Sequence, residues 1–145
     1  MWLKPSAFPN ESITMKQRIL IADDDESIRD IFQLILGNAG YQIAISSTGE
    51  DILNDSFEVP DLFLLDKQLA GHNGLDICMH LKNNPKTKDI PVIMISASPD
   101  IGPLSMEAGA DAYIEKPFEI EYLRSVIRHY IEKPVSNMNG QTANA

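Results

Sequence analysis

The sequence predicts an α/β domain built as a doubly wound, parallel five-stranded sheet with helices on both faces. Two observations carry this. Short apolar runs recur along the chain, each closed by polar residues, and the stretches between them place apolar side chains at helical spacing. Consecutive parallel strands joined by helices must cross over right-handedly, so the helices cover both faces of the sheet. At 145 residues the chain is long enough for one domain with its own core.

The elements follow in order. Residues 1–16, with Pro5, Pro9, Asn10 and Ser12 and scattered apolar side chains such as Trp2 and Phe8, read as an N-terminal extension. The first strand runs from Arg18 to Ala22. A helix follows, with Ile28, Ile31, Phe32, Ile35 and Leu36 on one face and Gly37 and Gly40 at its end. The second strand is Tyr41 to Ile45. Ser46, Ser47 and Thr48 then offer an N-cap to a short helix carrying Ile52 and Leu53. The third strand starts at Pro60-Asp61 and ends at Asp66. A loop from Lys67 to Asn73 leads into a helix from Gly74 to Lys82, and Pro85 to Lys88 form a surface loop.

The fourth strand spans Ile90 to Ile95. The helix after it is expected to be short or delayed, from Pro103 to Ala108. Ser98-Pro99-Asp100 is a start signal with proline at the first helical position, but Pro103 then removes a donor and crowds the preceding turn. The fifth strand is Ala112 to Ile114. The last helix starts near Phe118 and sets Ile120, Leu123, Val126, Ile127, Tyr130 and Ile131 on one face. The residues from 133 to 145 are polar and small and read as a flexible tail, which leaves residues 17–132 as the domain.

Composition narrows the function. Hydrophobic content of 43% and charged content of 23% fit a soluble globular protein. Twelve basic against 21 acidic residues give a net charge of −9, and no basic run is present, so direct nucleic-acid binding is not expected. No apolar stretch is long enough to span a membrane and the N-terminus lacks a continuous hydrophobic segment, which favours the cytoplasm. The single Cys78 can form no intrachain disulfide and reads as a small buried hydrophobe.

Ligands of parallel α/β sheets bind at the carboxyl ends of the strands. There the sequence places Asp23, Asp24 and Asp25 after the first strand, Asp66 at the end of the third, Ser96 after the fourth and Lys116 after the fifth. Clustered carboxylates repel one another unless a cation lies among them. Mg²⁺ takes oxygen ligands and keeps several waters, so Asp24 and Asp66 could bind it directly, Asp23 could hold a water, and the Gln68 carbonyl could complete the set. A carboxylate can also serve as nucleophile and become an aspartyl phosphate, with Lys116 and the Ser96 hydroxyl contacting the phosphoryl oxygens. Each residue alone has a bland reading: an Asp as helix cap, Ser96 as a turn residue, Lys116 as surface charge. Their joint placement at strand ends is hard to explain that way.

Four segments carry a resemblance to a known family: Arg18 to Asp25 (RILIADDD), Pro60 to Asp66 (PDLFLLD), Pro91 to Ala97 (PVIMISA) and Gly109 to Phe118 (GADAYIEKPF). Over about residues 17–132 the chain resembles the receiver domain of bacterial two-component response regulators. The resemblance implies the flavodoxin-like strand order 2-1-3-4-5. It implies Asp66 as phosphoacceptor, Asp23 and Asp24 as the acidic pair for Mg²⁺, Gln68 as donor of a backbone carbonyl to the metal, Ser96 as switch hydroxyl, Lys116 as partner of the phosphoryl group, and Tyr113 as the aromatic that turns inward. It also implies a cis Lys116-Pro117 bond and a histidine kinase or histidine phosphotransfer protein as phosphodonor. The chain would then be a monomer or a phosphorylation-dependent dimer whose output is binding rather than enzymatic turnover. Ala70 stands where the family usually has proline, Asn73 where it often has aspartate, and Gly102-Pro103 alters the fourth helix. The rival reading is a Mg²⁺-dependent phosphohydrolase. It would need a second aspartate two residues after the nucleophile, where this chain has Gln68.

Overall fold

A computed structural model describes residues 16–132 of the chain. The expected C-terminal tail, and all of the N-terminal extension except Lys16, lie outside the described residues. The elements are β1 (Arg18–Ala22), α1 (Glu26–Asn38), β2 (Gln42–Ser46), α2 (Glu50–Leu53), β3 (Leu62–Asp66), β4 (Gln68–Leu69), β5 (His72–Asn73), α3 (Gly74–Lys82), β6 (Val92–Ser96), α4 (Ile101–Glu107), β7 (Ala112–Glu115) and α5 (Ile120–Ile131). The main sheet is five-stranded and parallel in the order β2-β1-β3-β6-β7, the flavodoxin-like arrangement.

Side-chain alternation along the strands builds two cores. Leu20, Ala22, Phe63, Leu65, Val92 and Met94 face α2, α3 and α4 through Ile52, Ile77, Leu81 and Ile101. Ile19, Ile21, Leu62, Leu64, Ile93 and Ile95 face α1 and α5 through Phe32, Leu36, Leu123 and Ile127. β3 and β6 are buried along their whole length, which is why both read as unbroken apolar runs.

The structure corrects the sequence reading in several places. The third strand ends at Asp66 as expected, and the second, fourth and fifth strands run one residue further than expected, keeping Ser46, Ser96 and Glu115 in the ladder. Ser46 pairs with Ala22, Asp66 with Ile95 and Ser96 with Glu115, because a polar side chain at a strand end does not stop its backbone from pairing. The third strand begins at Leu62. Asp61 lies just before it, with its side chain accepting from the Arg18 N–H at 2.7 Å.

The loop after β3 holds a two-stranded antiparallel hairpin, β4 with β5, turned at Gly71 with φ of 81°. The N-cap of α2 is Gly49, in the left-handed region at φ of 84°. Two of the expected hydroxyls act from before the cap: Ser46 Oγ accepts from Gly49 N and Thr48 Oγ1 from Glu50 N.

Helix α4 is not delayed to Pro103. It starts at Ile101 with Asp100 as N-cap, so Pro99 lies before the helix, not at its first position. Pro103 is then the third helical residue, and the first turn has no intrahelical partner for its N–H groups, so nothing is lost there. Ile31 and Ile120, expected on buried faces, are 46% and 47% exposed. Cys78 is buried with its Sγ 3.5 Å from the Ala108 carbonyl, and burial pushes the thiol up to about 11. No helix among the described residues is long and apolar enough to cross a membrane.

Candidate functional site

The carboxyl ends of β1, β3, β6 and β7 converge on one cleft lined by Asp24, Asp25, Asp66, Gln68, Ser96, Ala97, Ser98 and Lys116. Asp66 is the last residue of β3 and is 8% exposed. Its Oδ2 accepts from Lys116 Nζ at 3.1 Å, and its Oδ1 accepts from the Gln68 N–H at 3.1 Å. Lys116 follows β7 immediately, and its own N–H donates to the Ser96 carbonyl at 2.9 Å, which fixes its backbone beside β6. The Lys116-Pro117 peptide bond is cis.

Asp23 lies at the floor of the cleft and is fully buried. Its Oδ1 accepts from the Asp25 N–H at 2.9 Å. Its Oδ2 has no hydrogen bond, and the nearest cation is Lys116 Nζ at 3.8 Å. Burial, with the neighbouring Asp66 charge adding to it, pushes the Asp23 carboxyl up to about 6. Of the three clustered acids, Asp25 is the helix cap, accepting from the N–H groups of Ser27 and Ile28 at the start of α1. Asp24 is exposed at the cleft wall. Ser96 is 4% exposed, and its Oγ accepts from the Ser98 N–H at 3.0 Å.

Six of the seven site residues expected from the sequence therefore meet here: Asp23, Asp24, Asp66, Gln68, Ser96 and Lys116. Tyr113 does not line the cleft. It stands 41% exposed on β7, in a neighbouring groove with Glu115, Pro117, Phe118, Glu119 and Tyr122.

Two supports escaped the sequence reading. Arg29 Nη1 donates to the Asp23 carbonyl at 2.9 Å from one turn into α1. Gly74 opens α3 so close to β3 that a Cβ there would lie 2.0 Å from the Asp66 carbonyl oxygen. The only sequence signal for the second was a glycine at a helix start, where an ordinary residue would serve.

Chemically the cleft is an all-oxygen acidic site with one ammonium set into it. Asp24, Asp66 and the Gln68 carbonyl could hold a hard divalent cation, with Asp23 beneath them. Among the described residues no group of three or more His, Cys, Asp and Glu side chains converges as a complete metal cage. Mg²⁺ needs none, because it commonly takes one or two carboxylates and keeps its waters. The buried Asp23 Oδ2, which accepts no hydrogen bond, is the atom such a hydrated ion would satisfy.

Residues 19–128 match the profile of the response regulator receiver domain. The chain belongs to that family. Among its relatives is the DNA-binding response regulator MtrA of Mycolicibacterium smegmatis, 37% identical over 118 residues, covering 79% of this chain and 50% of that protein. The chain thus spans about half the length of the curated relatives it matches. A putative response regulator from Chloroflexus aurantiacus superposes with a TM-score of 0.77 at 31% identity, over 82% of this chain and 100% of that one. The receiver domain of sensor histidine kinase PA1611 from Pseudomonas aeruginosa superposes at 0.73 and 21% identity, covering 81% of this chain and 98% of that one. Its likeness bears on the fold, and that protein carries a magnesium ion coordinated in its active site cleft. The flavodoxin-like receiver domain of two-component systems is therefore the setting in which the acidic cleft is to be read.

Proposed function

We propose that residues 17–132 form a phosphorylatable switch that accepts a phosphoryl group on Asp66 from a histidine kinase or histidine phosphotransfer protein. The observation that carries this is the grouping of Lys116 Nζ, Asp66 Oδ2 and Asp23 Oδ2, which accepts no hydrogen bond, at one point of the strand-end cleft. Two buried carboxylates with a single ammonium leave excess negative charge, which suits a site that takes up a cation together with its substrate.

In the reaction a carboxylate oxygen of Asp66 attacks phosphorus. The P–N bond of a phosphohistidine, or the P–O bond of a small donor, breaks, and the leaving group takes the bonding electron pair, an imidazole being protonated from solvent and a carboxylate leaving as the anion. Gln68 N–H and Lys116 Nζ orient the Asp66 carboxylate before attack, and Lys116 then pairs with a phosphoryl oxygen. Mg²⁺ at Asp23, Asp24, Asp66 and the Gln68 carbonyl would neutralise charge on the transferring group. Ser96 Oγ, at the cleft wall, donates to a phosphoryl oxygen once the group is in place.

The domain's chemistry is limited to its own phosphorylation and slow hydrolysis of the acyl phosphate, and its output is a changed binding surface that includes Tyr113. A cytoplasmic setting, and a monomer that dimerises on phosphorylation or remains single, fit this role. The test is intact-mass spectrometry after incubation with a small-molecule phosphodonor, with Mg²⁺ or with EDTA. One phosphoryl adduct is expected with Mg²⁺, and none with EDTA or in Asp66→Asn. An adduct that persists in Asp66→Asn would overturn the assignment.

A further inference from the structure

We propose that Gly102, the second residue of α4, is the seat on which the Tyr113 ring rests, and that its missing side chain sets the resting position of this aromatic. Gly102 is buried. A methyl group placed on it would lie 3.1 Å from both Cζ and the phenolic oxygen of Tyr113 and 3.4 Å from Cε1. The far end of the ring therefore lies directly against the backbone of the first helical turn. No hydrogen bond within the described residues ties the Tyr113 hydroxyl, so contact with α4 is what locates it, while the rest of the ring looks into the open groove beside Glu115, Phe118 and Tyr122.

A plain packing glycine is the competing explanation, and the kind of atom met decides between them. At Gly74 an added Cβ meets backbone at 2.0 Å, so that glycine is demanded by the fold. At Gly102 the three nearest atoms all belong to the tip of one side chain, Tyr113, which is 41% exposed. Alanine there requires the Tyr113 ring to give by a few tenths of an ångström, and leaves the nearest backbone untouched. The buried residues of α4 are Ile101, Gly102 and Ser105; the Ser105 Oγ has no hydrogen-bond partner among the described residues, and the N-cap Asp100 makes no side-chain bond. The regulatory meaning of the seat rests on the switch reading above, but the seat itself does not.

The experiment is ¹⁹F NMR of the full chain labelled with 3-fluorotyrosine, unphosphorylated, with Tyr113→Phe assigning the Tyr113 resonance. Gly102→Ala should displace the Tyr113 resonance while those of Tyr41, Tyr122 and Tyr130 stay in place, with the urea midpoint close to wild type. In a Tyr113→Ala background the same Gly→Ala change should be more favourable for stability, because the obstructing ring is gone. An unmoved Tyr113 resonance in a folded Gly102→Ala protein overturns the proposal. So does a loss of stability that persists unchanged in the Tyr113→Ala background, since the methyl would then be meeting something else. If phosphodonor and Mg²⁺ also shift the wild-type Tyr113 resonance, Gly102→Ala should reduce that shift at least twofold. A wild type that takes up no phosphoryl group would sink the switch reading and leave the unphosphorylated comparison to decide the seat.

Discussion

Alanine substitutions at two glycines should have opposite effects on stability, and the pair tests how the site is built. At Gly74 the new methyl carbon would stand 2.0 Å from the Asp66 carbonyl oxygen, 2.9 Å from its carbonyl carbon and 3.0 Å from Lys67 Cα. Real contacts of this kind do not fall below 3.0 Å, so β3 and α3 must separate by about 1 Å at this point. Both are anchored there: Gly74 N donates to the Lys67 carbonyl at 2.6 Å, and Leu75 N donates to Asn73 Oδ1 at 2.8 Å. Overpacking costs about 1–3 kcal/mol, and a backbone-to-backbone clash belongs at the upper end of that range. Weakening one hydrogen bond adds about 1 kcal/mol. Gly74→Ala should therefore lose about 4 kcal/mol. It should also lose phosphoryl uptake, because the displaced carbonyl belongs to Asp66 itself. At Gly37, inside α1, an added Cβ meets nothing within 4 Å, so Gly37→Ala should gain about 0.5–1 kcal/mol. Urea unfolding read by far-UV circular dichroism measures both. A Gly74→Ala protein as stable as wild type would refute the claim that α3 is seated on the Asp66 backbone.

Three further outcomes are expected. Burial pushes the Asp23 carboxyl from its ordinary 3.8 up to about 6, so between those values the native state holds more protons than the unfolded chain. Stability from this group is thus greatest at low pH and falls as pH rises across that window. Asp23→Asn should remove that slope in a pH series of urea midpoints. Added Mg²⁺ should stabilise wild type more above pH 6 than below it, because protons compete for Asp23. Lys116→Met should slow phosphoryl uptake by roughly a hundredfold, as loss of a single charge-stabilising donor does; time-resolved intact mass reads this, and wild-type rates would remove Lys116 from the site. Cys78, buried and with its thiol pushed up to about 11, should resist iodoacetamide at pH 8 in the folded protein and react on unfolding.

Much of this architecture was legible because a buried parallel strand needs an unbroken apolar run, as in Leu62–Leu65 and Val92–Ile95, and because a site in such a sheet must sit where those runs end. Polar residues at run ends therefore marked both strand ends and cleft. The misses share a cause, namely that a local signal was overruled by position. Pro103 looked like a barrier, but at the third position of α4 it removes a donor that no helix would have used. Ile31 and Ile120 obeyed helical spacing yet point outward, since spacing does not say where an apolar face stops. The β4–β5 hairpin is too short for periodicity to register. The close approach of Gly74 to Asp66, and of Gly102 to Tyr113, depends on how helices lie on the sheet, which composition does not encode.

The central claim is that Asp66, among several carboxylates crowded at one cleft, is the one that carries the phosphoryl group. Borohydride reduction of the freshly phosphorylated protein converts an acyl phosphate to an alcohol, so peptide mapping then reads the position directly. The account predicts homoserine at position 66 and unmodified aspartate at 23, 24 and 25, whereas trapping at any of those three with position 66 intact would contradict it.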